Sequence, residues 1–165
     1  DEPFAVLLAD DLIQSDVPVL YQMVQEFDRL RASMVAVIEV PKEETSKYGI
    51  LETEDAVNDT MRVRRMVEKP PADQAPSNIA AIGRYILTPQ IFGILGGHHK
   101  GAGGEIQLTD AMSHLLQTQP IFAYKFQGFR FDCGDKAGFQ MANLAFSLER
   151  PEMRDSLQAF IRTLV

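Results

Sequence analysis

The order of segments at the start of the chain restricts the fold more than any other feature. Phe4 to Ala9 (FAVLLA) is a continuous apolar run, and Val17 to Leu30 carries Leu20, Val24, Phe27 and Leu30 near the helical period. Met34 to Val40 (MVAVIEV) is rich in β-branched residues and is closed by Pro41. Strand, helix and strand in that order form a βαβ unit, so parallel pairing and a right-handed crossover are expected. A run without polar alternation suits a strand buried on both faces, which makes Phe4 to Ala9 the expected central strand of a parallel sheet. A central strand needs neighbours on both sides, so the chain is expected to be a fragment of a longer protein.

The remaining segments continue the α/β pattern. Tyr48 to Leu51 and Met61 to Val67 read as strands joined by a hairpin whose turn lies near Asn58-Asp59. Val63 to Leu87 holds a strand end, Glu68-Lys69, then Pro70-Pro71, which cannot donate to a sheet ladder, then a strand from Ile79 to Leu87. A short helix through Ile91, Phe92 and Leu95 is expected with Thr88 as its cap, and a second after Glu105 with Thr109 or Asp110 as its cap. Ile121 to Phe126 and Phe129 to Phe131 read as strands, and Ala137 to Leu148 and Pro151 to Leu164 as helices with apolar stripes. Nothing in this pattern splits the chain, so residues 1–165 are expected to form one domain, with helices over 137–164 as core elements or as a candidate subunit contact.

Composition excludes several classes of function. A net charge of −7 and a pI near 4.9 argue against a nucleic-acid surface, which requires a basic stripe. No apolar run reaches the roughly 18 residues that span a membrane, and no leader is visible, so no membrane partner is expected. The single cysteine, Cys133, rules out an intrachain disulfide framework and suits a reducing cytoplasm.

Several residues are candidates for chemistry, each with a plainer alternative. Asp10 and Asp11 follow the first apolar run, where ligands bind in open α/β sheets, or they cap the next turn. Glu68 and Lys69 could accept from sugar hydroxyls and donate to a phosphate, or form an ordinary solvated pair. Gly49 either lets a ligand approach the backbone or marks a bulge. Ala80, Ala81 and Gly83 leave room beside the backbone for packing or for a ligand. His98, His99 and Lys100 precede the glycine-rich Gly101-Ala102-Gly103-Gly104; without a following Gly-Lys-Ser/Thr this is no P-loop, and adjacent histidines lack the spacing of a metal pair.

Five pieces stand in a fixed order: FAVLLADDLI, YGI, VEKPP, GEIQLTD and FDCGDK. Together they resemble the bacterial UTP–glucose-1-phosphate uridylyltransferases, a branch of the sugar-nucleotide pyrophosphorylase superfamily. Cys133-Gly134-Asp135-Lys136 after Asp132 is closer to that branch than to the thymidylyl branch, which usually has Asp-Thr-Gly there. The resemblance implies an α/β, Rossmann-like nucleotide-diphospho-sugar transferase fold, a mixed sheet flanked by helices, present only in part. It implies UTP and glucose 1-phosphate as substrates, UDP-glucose and pyrophosphate as products, and Mg2+ as cofactor.

It further implies that Asp10 and Asp132 bind the metal and that the Gly49 backbone touches the sugar. Glu68 would accept from sugar hydroxyls, Lys69 would act at the sugar phosphate as the catalytic lysine, and Ala81 would offer a backbone contact to the hexose. Asp11 sits where the family often has an apolar residue and receives no role. Gly103 stands where some relatives have arginine. The superfamily's Gly-x-Gly-Thr-Arg loop does not occur in this sequence. The chain alone is therefore expected to be inactive, and a homo-oligomer is expected. The alternatives are a thymidylyl-, cytidylyl- or mannose-1-phosphate guanylyltransferase, or a non-catalytic sugar-phosphate-binding module.

Overall fold

The computed structural model describes residues 2–97 and 106–164. The chain forms two compact units: one runs to Leu8 and resumes over Val17–Gln127, the other comprises Ala9–Asp16 and the chain from Gly128 onward. His98, His99, Lys100, the glycine-rich loop after them and Glu105 lie outside the described residues.

The first unit is built on six strands: β1 (Phe4–Leu7), β3 (Ser33–Glu39), β4 (Gly49–Thr53), β5 (Thr60–Glu68), β6 (Ile79–Leu87) and β7 (Ile121–Lys125). Their order in the sheet is β1-β6-β3-β7-β5-β4, and β4 pairs again with β6. Five strands thus close a ring of pairings, with β1 attached outside it. Among the described residues of this unit only β3 and β7 pair in parallel, and the other strand pairings are antiparallel.

The expected parallel pairing of Phe4 to Ala9 is overturned here. β1 lies at the sheet edge, antiparallel to β6, and alternates between half-buried and exposed residues. The expected neighbour pairing of β1 with β3 fails for the same reason: β6 lies between them, antiparallel to both. β6 (IAAIGRYIL) is nine residues long and buried along most of its length, as suits a strand covered on both faces.

Helix α1 (Val19–Leu30) follows Pro18, and its buried positions are Val19, Gln22, Met23 and Phe27. This stripe is rotated from the expected one; Val24 is exposed and a glutamine is inside. Gln22 earns burial by satisfying backbone groups: Nε2 donates to Val17 O (2.7 Å) and Gln127 O (2.9 Å), and Oε1 accepts from Gln127 N (2.9 Å).

Helices α2 (Ile91–Gly96) and α3 (Leu108–Leu115) add Ile91, Ala111, Met112 and Leu115 to the core around Val35, Leu51 and Ile121. Each fully buried Leu, Ile or Met contributes about 1.5–3 kcal/mol. The helix starts differ from expectation. α2 begins after Gln90 rather than on a Thr88 cap, and α3 begins after Gln107, which places Thr109 and Asp110 inside its first turn.

The second unit pairs β2 (Asp11–Gln14) with β8 (Phe129–Asp132), antiparallel, and continues into α4 (Lys136–Glu149) and α5 (Pro151–Ile161). Asp135 caps α4, its Oδ2 accepting from Gly138 N at 2.9 Å. Phe131 packs on Phe146, ring centroids 5.9 Å apart, beside fully buried Ala142. No helix among the described residues is long and apolar enough to cross a membrane.

Candidate active site

In the first unit the candidate residues converge through strand register. β4 and β5 pair with Gly49 opposite Glu68, and Lys69 N donates to Tyr48 O (3.0 Å), which carries the pairing one residue further. β4 also pairs Ile50 with Ala80 of β6, and one residue beyond that pair lie Gly49 and Ala81. Ala81 is buried, with Val37 of β3 opposite it.

Gly49 has no room for a side chain. A Cβ there would stand 2.8 Å from Thr109 Oγ1 and 3.2 Å from Glu68 Oε2. The Glu68 carboxylate and the Thr109 hydroxyl therefore both lie over the bare backbone of Gly49. The β4–β5 register runs unbroken through Gly49, with its irregularity at Glu52–Thr53, so the glycine does not mark a bulge.

Successive strand residues normally point to opposite faces, which would separate Glu68 from Lys69. The chain breaks that alternation at Lys69, whose φ is +45°. This left-handed conformation, adopted by a non-glycine residue just before Pro70, costs about 1–3 kcal/mol. It brings Lys69 Nζ to 3.7 Å from Glu68 Oε1. That separation exceeds a hydrogen bond, and the lysine side chain is 57% exposed while the glutamate's is 10% exposed. With the ammonium in solvent and no hydrogen bond between the two, the pairing is loose, so the ammonium can turn to an anion at little loss. The cluster thus presents a nearly buried acceptor beside an available cation.

In the second unit, β2 and β8 set Asp11 opposite Asp132. Asp10 lies in the turn between β1 and β2, and its carbonyl accepts from Cys133 N at 2.7 Å. Asp132 Oδ1 accepts from Gly134 N at 3.1 Å. A Cβ placed on Gly134 would stand 3.2 Å from Asp132 Oδ1 and 3.5 Å from Asp10 Oδ2. Two carboxylates from different segments therefore turn toward one spot beside a glycine.

Arg130 forms ion pairs with both Asp11 and Asp132. Two carboxylates share that guanidinium and the Asp10 carboxylate lies on the Gly134 side of Asp132, so negative charge is in excess, which suits a divalent cation. Among the described residues no group of three or more His, Cys, Asp or Glu side chains is arranged to hold a metal. A two-carboxylate site fits magnesium, which keeps several waters and commonly takes one or two carboxylates plus phosphate oxygens.

Sequence reasoning missed β2, Arg130 and the place of Thr109. The alternation Arg130-Phe131-Asp132 was the available signal for Arg130, since it sets the two charged residues on one face of a strand.

The nucleotidyl transferase family profile matches residues 1–147. The chain belongs to this family. It is 46% identical over 165 residues to the UTP–glucose-1-phosphate uridylyltransferase of Bacillus subtilis (strain 168), covering 100% of this chain and 56% of that protein. A crystal structure of UDP-glucose pyrophosphorylase complexed with UDP-glucose superposes with a TM-score of 0.86 at 47% identity, over 90% of this chain and 57% of that one. A UTP-bound UGPase from Acinetobacter baumannii also gives a TM-score of 0.86, at 34% identity, over 99% of this chain and 57% of that chain. The chain thus spans a little over half the length of the relatives it matches. The expected fold class holds: an α/β nucleotidyl transferase fold with a mixed sheet flanked by helices.

Proposed function

We propose that the protein containing this chain is a UTP–glucose-1-phosphate uridylyltransferase, which forms UDP-glucose and pyrophosphate from UTP and glucose 1-phosphate. The observation that carries this reading is the Glu68 carboxylate held over the Gly49 backbone beside Lys69, in a chain 46% identical to an enzyme of that name. The sugar phosphate oxygen attacks the α-phosphorus of UTP in line, and positioning with charge neutralisation is sufficient. Glu68 accepts from hexose hydroxyls, the Gly49 and Ala81 backbones line the sugar, and Lys69 neutralises its phosphate. Asp10 and Asp132 would hold Mg2+, which when bound offsets the charge of the phosphates. The free thiol of Cys133 is in keeping with a cytoplasmic location.

Kinetics of the full-length protein test the sugar-side roles. Glu68→Ala should raise KM for glucose 1-phosphate by a factor matching about 1.5–3 kcal/mol, the worth of a charged hydrogen bond. Lys69→Ala should lower kcat as well. If both variants raise only the KM for UTP, the assignment is wrong.

We also infer a homo-oligomer formed through α4 and α5. α5 contributes no buried residue, and Phe139, Met141, Leu144 and Phe160 all present exposed apolar surface. Light scattering should return a mass above 18.4 kDa for the chain, and a stable monomer at micromolar concentration would defeat this inference.

A further inference from the structure

Asp11 and Arg130 have no part in the function proposed above, yet their arrangement bears directly on Asp132. Asp11 and Asp132 are directly opposed across the β2–β8 pair, and Arg130, two residues before Asp132, shares their face. Like charges directly opposite one another destabilise a sheet unless a cation separates them. Arg130 supplies that cation with both prongs of its fork. Nε pairs with Asp11 Oδ1, and one terminal nitrogen lies 3.2 Å from Asp132 Oδ2. Asp11 and the Arg130 side chain are largely buried, while the Asp132 side chain is 41% exposed. The inner pair is therefore an anchor and the outer carboxylate the group it aims. Arg130 holds Oδ2 and Gly134 N–H holds Oδ1, so both oxygens of Asp132 are tethered, with Oδ1 on the side of Asp10.

We propose that Asp11 and Arg130 are positioning residues that fix the Asp132 carboxylate for divalent-cation binding. The proposal rests on the reading of Asp10 and Asp132 as the metal ligands. Lysine in place of Arg130 keeps the charge but cannot reach two carboxylates as a planar fork, so Arg130→Lys separates aim from charge. Asp11→Asn keeps an acceptor of the same shape and weakens the anchor.

The test is a titration of the 15N-labelled chain with Mn2+ alone, reading paramagnetic broadening of the Asp10, Asp132, Cys133 and Gly134 amides. Wild type should broaden at these amides, and Arg130→Lys should weaken the apparent affinity about tenfold, as loss of an outer partner of a metal ligand commonly does. In an Asp132→Asn background the same Arg130→Lys change should alter affinity less than about twofold, because the carboxylate it aims is gone. A merely structural role for Arg130 would give equal effects in both backgrounds. Should Arg130→Lys lose amide dispersion, Asp11→Asn replaces it with the same expectations. Wild-type broadening with unchanged affinity in the variant overturns the positioning role while leaving the metal reading intact. Absence of broadening at these amides in the wild type overturns both.

Discussion

Gly138→Ala should destabilise the chain by about 3 kcal/mol and lower its melting temperature by roughly 6–12 °C. Helix propensity alone forecasts the opposite sign, since alanine inside a helix is about 1 kcal/mol better than glycine. Sterics decide. A Cβ on Gly138 would overlap the Asp132 carbonyl oxygen and crowd the Asp132 carbonyl carbon at 3.0 Å. Those are backbone atoms, so no side chain can swing aside. The first turn of α4 is meanwhile held in place by the Asp135 cap on Gly138 N and by Asp135 N donating to Asp132 O. Relief requires α4 to move off β8, breaking the cap or the packing of Phe146 on Phe131. Thermal unfolding and amide exchange over residues 131–146 check this. A Gly138→Ala variant as stable as the parent would mean the helix can shift freely.

That glycine illustrates which parts of the molecule were legible in the sequence. Local signals sufficed for β4, β5, β6 and their connections, because prolines, Asn58-Asp59 and β-branched runs act within a few residues. Asn58 adopts the positive φ expected of a turn residue, 56°. Position in the sheet was not legible, because it depends on competition between distant strands. FAVLLA reads as the parallel neighbour of β3, yet β6 lies between them and pairs antiparallel with both. The face of α1 was misjudged because apolar scoring cannot foresee that Gln22 will find Gln127, far along the chain, and be buried by doing so. β2 is four residues long and carries no period of its own; only its partner β8 makes it a strand.

The candidate residues divide in the same way. Glu68, Lys69 and Gly49 were identifiable as residues, but the device that unites them was not. A run of Val-Glu-Lys-Pro gives no hint that Lys69 takes a left-handed φ and so returns to the side of Glu68. Thr109 reads as a helix cap because threonine favours that position, yet it lies in the first turn with its hydroxyl over Gly49. Asp11 receives no role from the resemblance because relatives often have an apolar residue there. In this chain it is buried and paired with Arg130, a relation that needs strand register to be seen.

Asp132→Asn in the full-length protein should lower turnover by about a hundredfold or more, with Asp10→Asn close behind. The estimate follows from the several kcal/mol of charge stabilisation that a metal supplies to a transferring phosphoryl group, much of which would go if one of the two proposed anionic ligands became neutral. The fold should survive both changes. Asparagine has the shape of aspartate, and at position 132 it retains an oxygen to accept from Gly134 N or Arg130. It also removes one of the two like charges facing each other across β2 and β8, so melting should shift little in either direction. Loss of activity without loss of stability is thus the expected signature, and excess Mg2+ or Mn2+ should recover part of the rate by mass action. Circular dichroism melts with initial rates across a metal titration separate the contributions. Near-normal turnover by either variant at saturating metal would show that its carboxylate does not hold the cation. A rate deficit matched by a lowered melting temperature would instead assign Asp132 to the architecture of the β2–β8 pair.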